Sequence, residues 1–284
     1  MLSVSFHGVR GSSPCSSEAT SRYGGNTSCV VLEVVGEPPL VLDLGTGLRR
    51  WDGHRPGGGV FEGTALLTHV HWDHVMGLPF FPPIDRTGAR LDVFGPTFEG
   101  RPLAETFASL MGPPFFPIRP DQLEGDIRFH DVADGELTVG TAAVTVRSVP
   151  HLGPTNGYRI DWGGASVAYV SDHQAPAGTD TIDAGVLELA HGVDLLVHDA
   201  QYTAAEWADK ADWGHSTVEY AVLVAGEAGA RRLALFHHDP AHDDDQLDGM
   251  ADGARRAADG LGVSEVVAAA EGLTLSLGAP APPV

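Results

Sequence analysis

The stretch Thr68-His69-Val70-His71-Trp72-Asp73-His74 concentrates three histidines and one aspartate at one point of the chain. The histidines directly follow residues 64–68, whose short apolar sequence predicts a buried strand. Neutral imidazoles and a carboxylate suit borderline divalent ions such as Zn, Mn or Fe. On an extended backbone His69 and His71 point the same way, whereas Asp73 and His74 follow on a turn and can face a second ion. Because four ligands on so short a loop hardly reach one ion with good geometry, the spacing indicates two metal ions.

The composition is that of a globular protein with a strong acidic excess. Of 284 residues, 43% are hydrophobic and 19% are charged, which excludes a disordered or collagen-like chain. Lys and Arg number 17 against 38 Asp and Glu, so the formal net charge is −21. Such a balance repels phosphate backbones and anionic membranes, and we therefore expect neither a long nucleic acid nor a membrane as a partner. A small anion held at a local cation is compatible with it.

The sequence predicts a cytoplasmic location. Its two cysteines, Cys15 and Cys29, cannot form a disulfide framework and fit a reducing compartment. The first residues contain neither the basic region nor the apolar core of a signal peptide. No apolar run approaches the ~18 residues that a membrane span needs.

Short apolar segments separated by Gly and Pro predict a strand-rich chain. We expect strands at residues 2–6, 28–35, 40–44, 64–68, 90–94, 143–149, 166–171, 195–198, 233–236, 266–270 and 273–277, and helices at 103–111, 182–190, 204–210, 216–228 and 244–261. This order predicts sheet layers covered by helices. Residues 79–120, rich in Pro and Phe, are expected to form an ordered insertion near the site. The pairs Phe80-Phe81 and Phe115-Phe116 fit either the core or a wall that stacks on a substrate.

The motif His-x-His-x-Asp-His after a strand resembles the signature of the metallo-β-lactamase superfamily. This resemblance implies an α/β fold, a four-layer αββα sandwich, formed by a single domain over residues 1–278 and followed by a flexible tail, 279–284. The family also has an Asp on an earlier strand, and Leu42-Asp43-Leu44-Gly45 is similar to that element. Asp43 would then fix the loop that carries the metal ligands.

The resemblance implies three further ligands downstream, namely His151, Asp172 and His237, each at the end of an expected strand. We prefer His237 to its neighbour His238 by its position after the strand. One metal site would hold His69, His71 and His151, the other Asp73, His74 and His237, and Asp172 would be shared. The expected cofactors are two divalent metal ions, Zn in the first place and Mn or Fe as the alternatives. Asp73 would orient a hydroxide shared by the two ions.

Trp213-Gly214-His215-Ser216-Thr217 identifies the branch of the superfamily, because it resembles the branch of RNase Z and the PhnP-like phosphodiesterases. In that branch the histidine binds phosphate and protonates the leaving oxygen, so we expect His215 to be the general acid. Ser216 also fits a helix N-cap. Residues 8–14 and 23–28 are similar to this branch as well, and we assign them to packing and to the entrance of the site. Asp199-Ala200-Gln201-Tyr202 is expected near the site.

These observations lead to a metal-dependent phosphodiesterase acting on a small nucleotide-like diester, with cyclic nucleotides among the candidates. The chain departs from RNase Z in residues 77–150, which are not basic, and this departure argues against a tRNA-processing role. The alternatives are a lactonase or carboxylic-ester hydrolase of the same fold, and a non-catalytic metal-containing protein of cofactor biosynthesis. The sequence leaves a homodimer open, and it leaves open whether His173, His198 and His238 support the ligands.

Overall fold

In the part of the chain that the structure describes, two sheets of seven strands each form the centre of the molecule. The computed structural model describes residues 1–53, 59–177 and 181–278, so the expected flexible tail at 279–284 lies outside the described residues. In chain order the strands are β1 (Leu2–Gly8), β2 (Cys29–Val34), β3 (Leu40–Leu42), β4 (Glu62–Leu66), β5 (Arg90–Gly95), β6 (Asp126–Asp131), β7 (Gly135–Val139), β8 (Ala142–Ser148), β9 (Asn156–Trp162), β10 (Ala165–Val170), β11 (Leu195–Asp199), β12 (Arg232–Phe236), β13 (Glu265–Ala268) and β14 (Thr274–Leu277). One sheet has the order β14-β1-β2-β3-β4-β5-β6, and the other has the order β13-β12-β11-β10-β9-β8-β7.

Each sheet contains a run of parallel strands that ends at the site. Strands β3 to β6 are parallel in the first sheet, and β10 to β13 are parallel in the second. His69 lies in the loop after β4, Asp172 lies just after the end of β10, and His237 directly follows β12. The carboxyl ends of parallel strands are a usual location for binding sites in α/β folds.

Helices cover the outer faces of both sheets. They are α1 (Trp72–Val75), α2 (Leu103–Leu110), α3 (Ala184–Ala190), α4 (Ala204–Lys210), α5 (Val218–Ala228) and α6 (Asp244–Ala257). Leu2, Phe6, Tyr158, Tyr169 and Phe236 are among the side chains packed between the sheets. A second cluster joins α3, α5 and α6 to one outer face, and a third joins α1, α2 and several 3₁₀ turns to the other. The four-layer αββα sandwich is therefore confirmed.

The structure adds three strands that the sequence did not predict, β6, β7 and β9. It also begins α5 at Val218 and ends α6 at Ala257, which shortens both expected helices. Residues 79–120 are ordered as expected and contain β5 and α2. Within the described residues, no helix combines the length and the apolar character needed to cross a membrane.

Candidate metal centre

The histidine-rich loop is held in place by Asp43, a buried aspartate that directly follows β3. The Asp43 Oδ1 accepts from the Thr68 backbone N–H at 2.8 Å, and its Oδ2 accepts from the Tyr169 hydroxyl at 2.9 Å. The Asp43 Oδ2 also lies 2.8 Å from Nδ1 of His74. Asp43 has a left-handed φ of +60°, a conformation that costs free energy and recurs at functional sites. These contacts fix the loop through the residue that the sequence singled out for that purpose.

Two groups of metal-binding side chains lie side by side in one cleft. His69, His71 and His151 form one group, and Asp73, His74 and His237 form the other; within each group the ligand atoms lie within 4.8 Å of one another. Six of the seven metal ligands expected from the sequence are thus brought together. Because these six residues come from three separate segments of the chain, only the fold can assemble them.

Asp172 lies between the two groups and faces both. Its Oδ1 is 3.8 Å from His69 Nε2 and 3.6 Å from His151 Nε2. Its Oδ2 is 3.1 Å from His74 Nε2 and 3.3 Å from His237 Nε2. One carboxylate with one oxygen toward each group has the geometry of a bridging ligand.

Hydrogen bonds at Nδ1 turn the Nε2 atoms of four histidines toward the cluster. The Nδ1 of His237 donates to Gln201 Oε1 at 2.8 Å, and that of His151 donates to the Gly214 carbonyl at 2.7 Å. His74 donates to Asp43, and His69 Nδ1 lies 3.0 Å from the Thr68 hydroxyl. In a neutral imidazole, such partners select the tautomer in which Nε2 carries a free lone pair, which is the form that binds a metal ion.

The electrostatics of the cluster favour a cation. Burial lowers the pKa of His74, but the carboxylates of Asp172, Asp73 and Asp43 outweigh it and hold this pKa well above its usual range. Burial raises the pKa of Asp172, yet the imidazoles of His237, His74 and His69 hold it well below the usual range. The carboxylates of Asp172 and Asp73, whose pKa values are held low in a buried position, need positive charge beside them.

The donor set also fits a metal ion at the level of single atoms. The Nε2 atom of His69 is buried and has no hydrogen-bond partner within the described residues. A buried polar atom without a partner costs free energy and requires an explanation. Imidazole nitrogens and carboxylate oxygens are suitable ligands for Zn, Mn and Fe, so an ion bound by His69, His71 and His151 would provide that partner.

His215 lies at the edge of the same cleft, paired with a carboxylate. Its Nδ1 donates to Asp199 Oδ2 at 2.8 Å and is 3.8 Å from Asp172 Oδ1. Burial lowers the pKa of His215, but the Asp199 carboxylate outweighs it and the pKa is raised. The Ser216 N–H donates to Asp199 Oδ1, whereas Thr217 is the N-cap of α5. Ser216 therefore does not cap the helix.

Asp73 is held from a segment that the sequence assigned to packing and to the entrance. The backbone N–H of Ser12 donates to Asp73 Oδ2 at 2.7 Å, and Ser12 also lines the cleft. Arg10, in contrast, is fully buried and donates to the carbonyls of Gly24, Asp239 and His242. The assignment to packing thus describes Arg10, whereas Ser12 contacts a candidate catalytic residue.

The remaining histidines near the cluster point elsewhere. His238 donates from Nε2 to the Ala269 carbonyl at 2.9 Å, away from the cleft that His237 enters. His198 donates to the Asp199 carbonyl, and its Nε2 lies 3.0 Å from Nδ1 of His173. This buried pair joins the segment that carries Asp172 to the segment that carries Asp199.

Comparisons with known proteins identify the family and agree with the fold. The family described as "Beta-lactamase superfamily domain" matches residues 63–238. Ribonuclease Z of Natronomonas pharaonis is 27% identical over 283 residues, covering 83% of this chain and 86% of its own. The metallo-beta-lactamase fold protein YhfI from Bacillus subtilis superimposes with a TM-score of 0.72 at 20% identity, covering 96% of this chain and 98% of its own. A diphosphatase from the PhnP family gives a TM-score of 0.69 at 18% identity, with 98% of both chains covered.

The expectation that long nucleic acids are excluded as partners is wrong. It rested on the net charge and on the absence of a basic arm, yet the relative from Natronomonas pharaonis is named as a ribonuclease and is similar along most of both chains. Net charge describes the average field of a surface and does not decide what one cleft binds. The family match, the two sheets and the cluster of histidines and aspartates agree, and the chain belongs to the metallo-β-lactamase superfamily of metal-dependent hydrolases.

Proposed function

We propose that the chain is a phosphodiesterase that uses two divalent metal ions. The observation that carries this proposal is the arrangement of seven donors in one cleft, with Asp172 directed at both groups and the His215–Asp199 pair beside them. We propose Zn as the resident metal because imidazole dominates the donor set, with Mn and Fe as alternatives. When bound, such a pair of ions makes a water molecule acidic enough to attack near neutral pH and neutralises charge on a phosphoryl group.

The chain's own residues then position the reactants. Asp73 accepts from the Ser12 N–H and keeps its carboxylate in the cleft, where it can accept a hydrogen bond from the attacking water and orient it. His215 donates to Asp199 through Nδ1, which leaves Nε2 to hold a proton for the leaving oxygen. An alkoxide is a poor leaving group, so a proton donor at this point accelerates the cleavage of a diester.

We propose a small nucleotide-like diester, cyclic nucleotides included, as a substrate. The cleft lined by Ser12, His71, Asp172 and His215 has a volume of about 460 Å³, which is large enough for a phosphate with two ester arms. The relationship to ribonuclease Z supports phosphodiester chemistry, and it makes RNA a second substrate to be assayed beside the small diester.

The test is an assay of the purified chain reconstituted with Zn or with Mn. Bis(p-nitrophenyl) phosphate, a lactone and an RNA are supplied as separate substrates. We expect diester hydrolysis, and its loss in Asp172→Ala. Turnover of the lactone alone would assign the chain to the ester hydrolases, and a metal-loaded protein that turns over none of the three would be a non-catalytic member of the family. Either result would overturn the proposal.

A further inference from the structure

An apolar groove with a volume of about 400 Å³ opens beside the metal centre. Its walls include Trp72, Phe80, Phe107, Met111, Phe115 and Phe116. Within the described residues, no charged side chain lines it, although the chain as a whole carries a net charge of −21. Pockets of ~300 Å³ and above are large enough for small organic ligands.

Trp72 lies between the groove and the metal cleft and lines both. It stands in the sequence between His71 and Asp73, two of the candidate metal ligands, and its side chain is 67% exposed. The same tryptophan lines the groove and the cleft that contains Asp172 and His215. A molecule whose phosphate lies in the cleft can therefore place an adjoining group in the groove.

Three aromatic residues of the groove, Trp72, Phe80 and Phe115, are exposed to solvent, whereas Phe107 is buried in the core. Phe115 is 79% exposed and Phe80 is 55% exposed, and the Phe80 ring meets Phe116 edge to face at 5.8 Å. Phe81, the direct neighbour of Phe80, is instead buried and stacks on Trp51 at 5.6 Å. Contiguous exposed apolar surface of this kind marks a binding site more often than a lone exposed side chain does.

We propose that this groove binds the base of the nucleotide whose phosphodiester is held at the metal centre, and so determines the substrate preference. This inference rests on the proposed phosphodiesterase function. A base is flat and uncharged at neutral pH, so it can stack on exposed aromatic rings without a charged partner. The anionic phosphate would lie in the cleft, beside His215 and the metal ions that the cleft would hold.

The experiment compares two diesters that differ only in the base. They are the p-nitrophenyl ester of thymidine 5′-phosphate and the same ester of 1,2-dideoxyribose 5′-phosphate. In the metal-loaded protein, Phe115→Ala and Phe80→Ala are expected to lower kcat/KM for the thymidine ester roughly 5- to 100-fold, mainly through KM, since one stacked ring contributes that much to binding. The abasic ester should be affected less than twofold. Leu261→Ala, which removes a 45% exposed apolar side chain near α5, is the matched control and should change neither.

Equal effects of Phe115→Ala on both esters would overturn the proposal, since the groove would then contact the p-nitrophenyl group or serve folding. Calorimetric binding of thymidine 5′-phosphate, with abasic deoxyribose 5′-phosphate as reference, tests the groove without turnover. If the wild type cleaves neither ester, the proposed function fails, while binding still reports on the groove. A Phe115→Ala protein that sediments as a monomer where the wild type is a dimer would make the groove an interface between copies and overturn the proposal.

Discussion

His215 depends on one carboxylate for its orientation, because Asp199 Oδ2 accepts its Nδ1 proton at 2.8 Å. We expect His215→Ala to retain its metal ions but to lose roughly 10²- to 10⁴-fold in phosphodiesterase kcat, the usual contribution of a general acid. The loss should be smaller for a p-nitrophenyl than for an alkyl leaving group, since a weakly basic group needs less protonation. Metal analysis together with kcat for the two esters checks this.

An equal decrease for both leaving groups would assign His215 to binding or to structure. Asp199→Asn provides the companion variant. It keeps the size of the side chain but removes the charge that pairs with His215, so it should lower kcat with a smaller change in KM. Asp199 acts through His215 and is a positioning residue.

The two groups of ligands predict about two metal ions per chain. Removing His69 should empty one group, removing His237 should empty the other, and removing Asp172 should weaken both, because its two oxygens face different groups. Elemental analysis of His69→Ala, His237→Ala and Asp172→Ala under metal-replete conditions should therefore give a loss of at least one ion each.

His130→Ala is the control for this series. His130 pairs with Asp92 at 2.8 Å on a surface strand and takes no part in the cluster. One ion per chain in the wild type, with no change in His237→Ala, would rule out the dinuclear site.

The sequence named the side chains of the cluster because they form a compact motif and recur at strand ends in family order. Apart from Asp43, it did not name the groups that orient these side chains. Gln201 holds His237, and the Gly214 carbonyl holds His151, across 36 and 63 positions of the chain respectively. The Ser12 N–H reaches Asp73 from a backbone with a φ of +59°. These are contacts of the folded chain, and two of them are made by backbone atoms, which every residue carries.

At the level of helices and strands, the contact between α4 and the turn before α6 should make stability depend on pH. Glu206 Oε1 lies 2.7 Å from His242 Nε2, and its Oε2 accepts from the Thr203 backbone N–H at 2.8 Å. Burial raises the pKa of Glu206, but the hydrogen bonds from His242 and Thr203 lower it to about 2. A carboxyl pKa lower in the folded than in the unfolded chain stabilises the fold above the unfolded value of ~4.3. That stability is lost as the pH falls toward 2.

Glu206→Gln should therefore destabilise the protein by about 1 kcal/mol at pH 7, a modest value because the carboxylate is partly exposed to solvent. The difference from wild type should shrink as the pH falls from about 4.5 toward 2. Denaturant unfolding at pH 7 and pH 3.5 measures both values. Glu227→Gln, on the exposed face of α5, is the control. A difference that is the same at both pH values would contradict the electrostatic origin.

Two of the three strands that the sequence missed, β6 and β7, share an alternation of polar and apolar residues. β6 and β7 read DIRFHD and GELTV, and neither contains a fully buried position. β6 and β7 are edge strands of their sheets, so one side of each strand needs no partner strand. β9 is buried but begins with Asn156-Gly157, a dipeptide typical of turns. Strands with continuous apolar sequences, such as β10 and β11, were predicted to within one residue.

For the molecule as a whole, the net charge led to the wrong exclusion of long nucleic acids as partners. The value of −21 is a sum over the whole surface, whereas binding of a polyanion depends on the field where it docks. The carboxylates that contribute to that sum include Asp43, Asp73 and Asp172, which are buried around the metal cleft. With cations bound there, the local field has the opposite sign from the average, and charge alone does not separate small diesters from RNA.

The same three carboxylates predict that removing the metal ions destabilises the whole fold. Without cations, Asp43, Asp73 and Asp172 remain buried around His74, and the loop after β4 is tied to the second sheet by the hydrogen bond from the Asn156 N–H to the Thr68 carbonyl and by side chains. An ion that binds only the folded chain, present at a hundredfold excess over its Kd, contributes ~2.7 kcal/mol of stability per site. In a protein of this size that corresponds to a decrease in Tm of at least several degrees on chelation.

Thermal unfolding after dialysis against a chelator, and again after restoring Zn or Mn, measures the change. Asp172→Asn should unfold at a temperature much less sensitive to the chelator, because it binds the ions weakly from the start. A wild-type Tm that chelation leaves unchanged, although the ions have been removed, would show that the cluster is held by protein contacts alone.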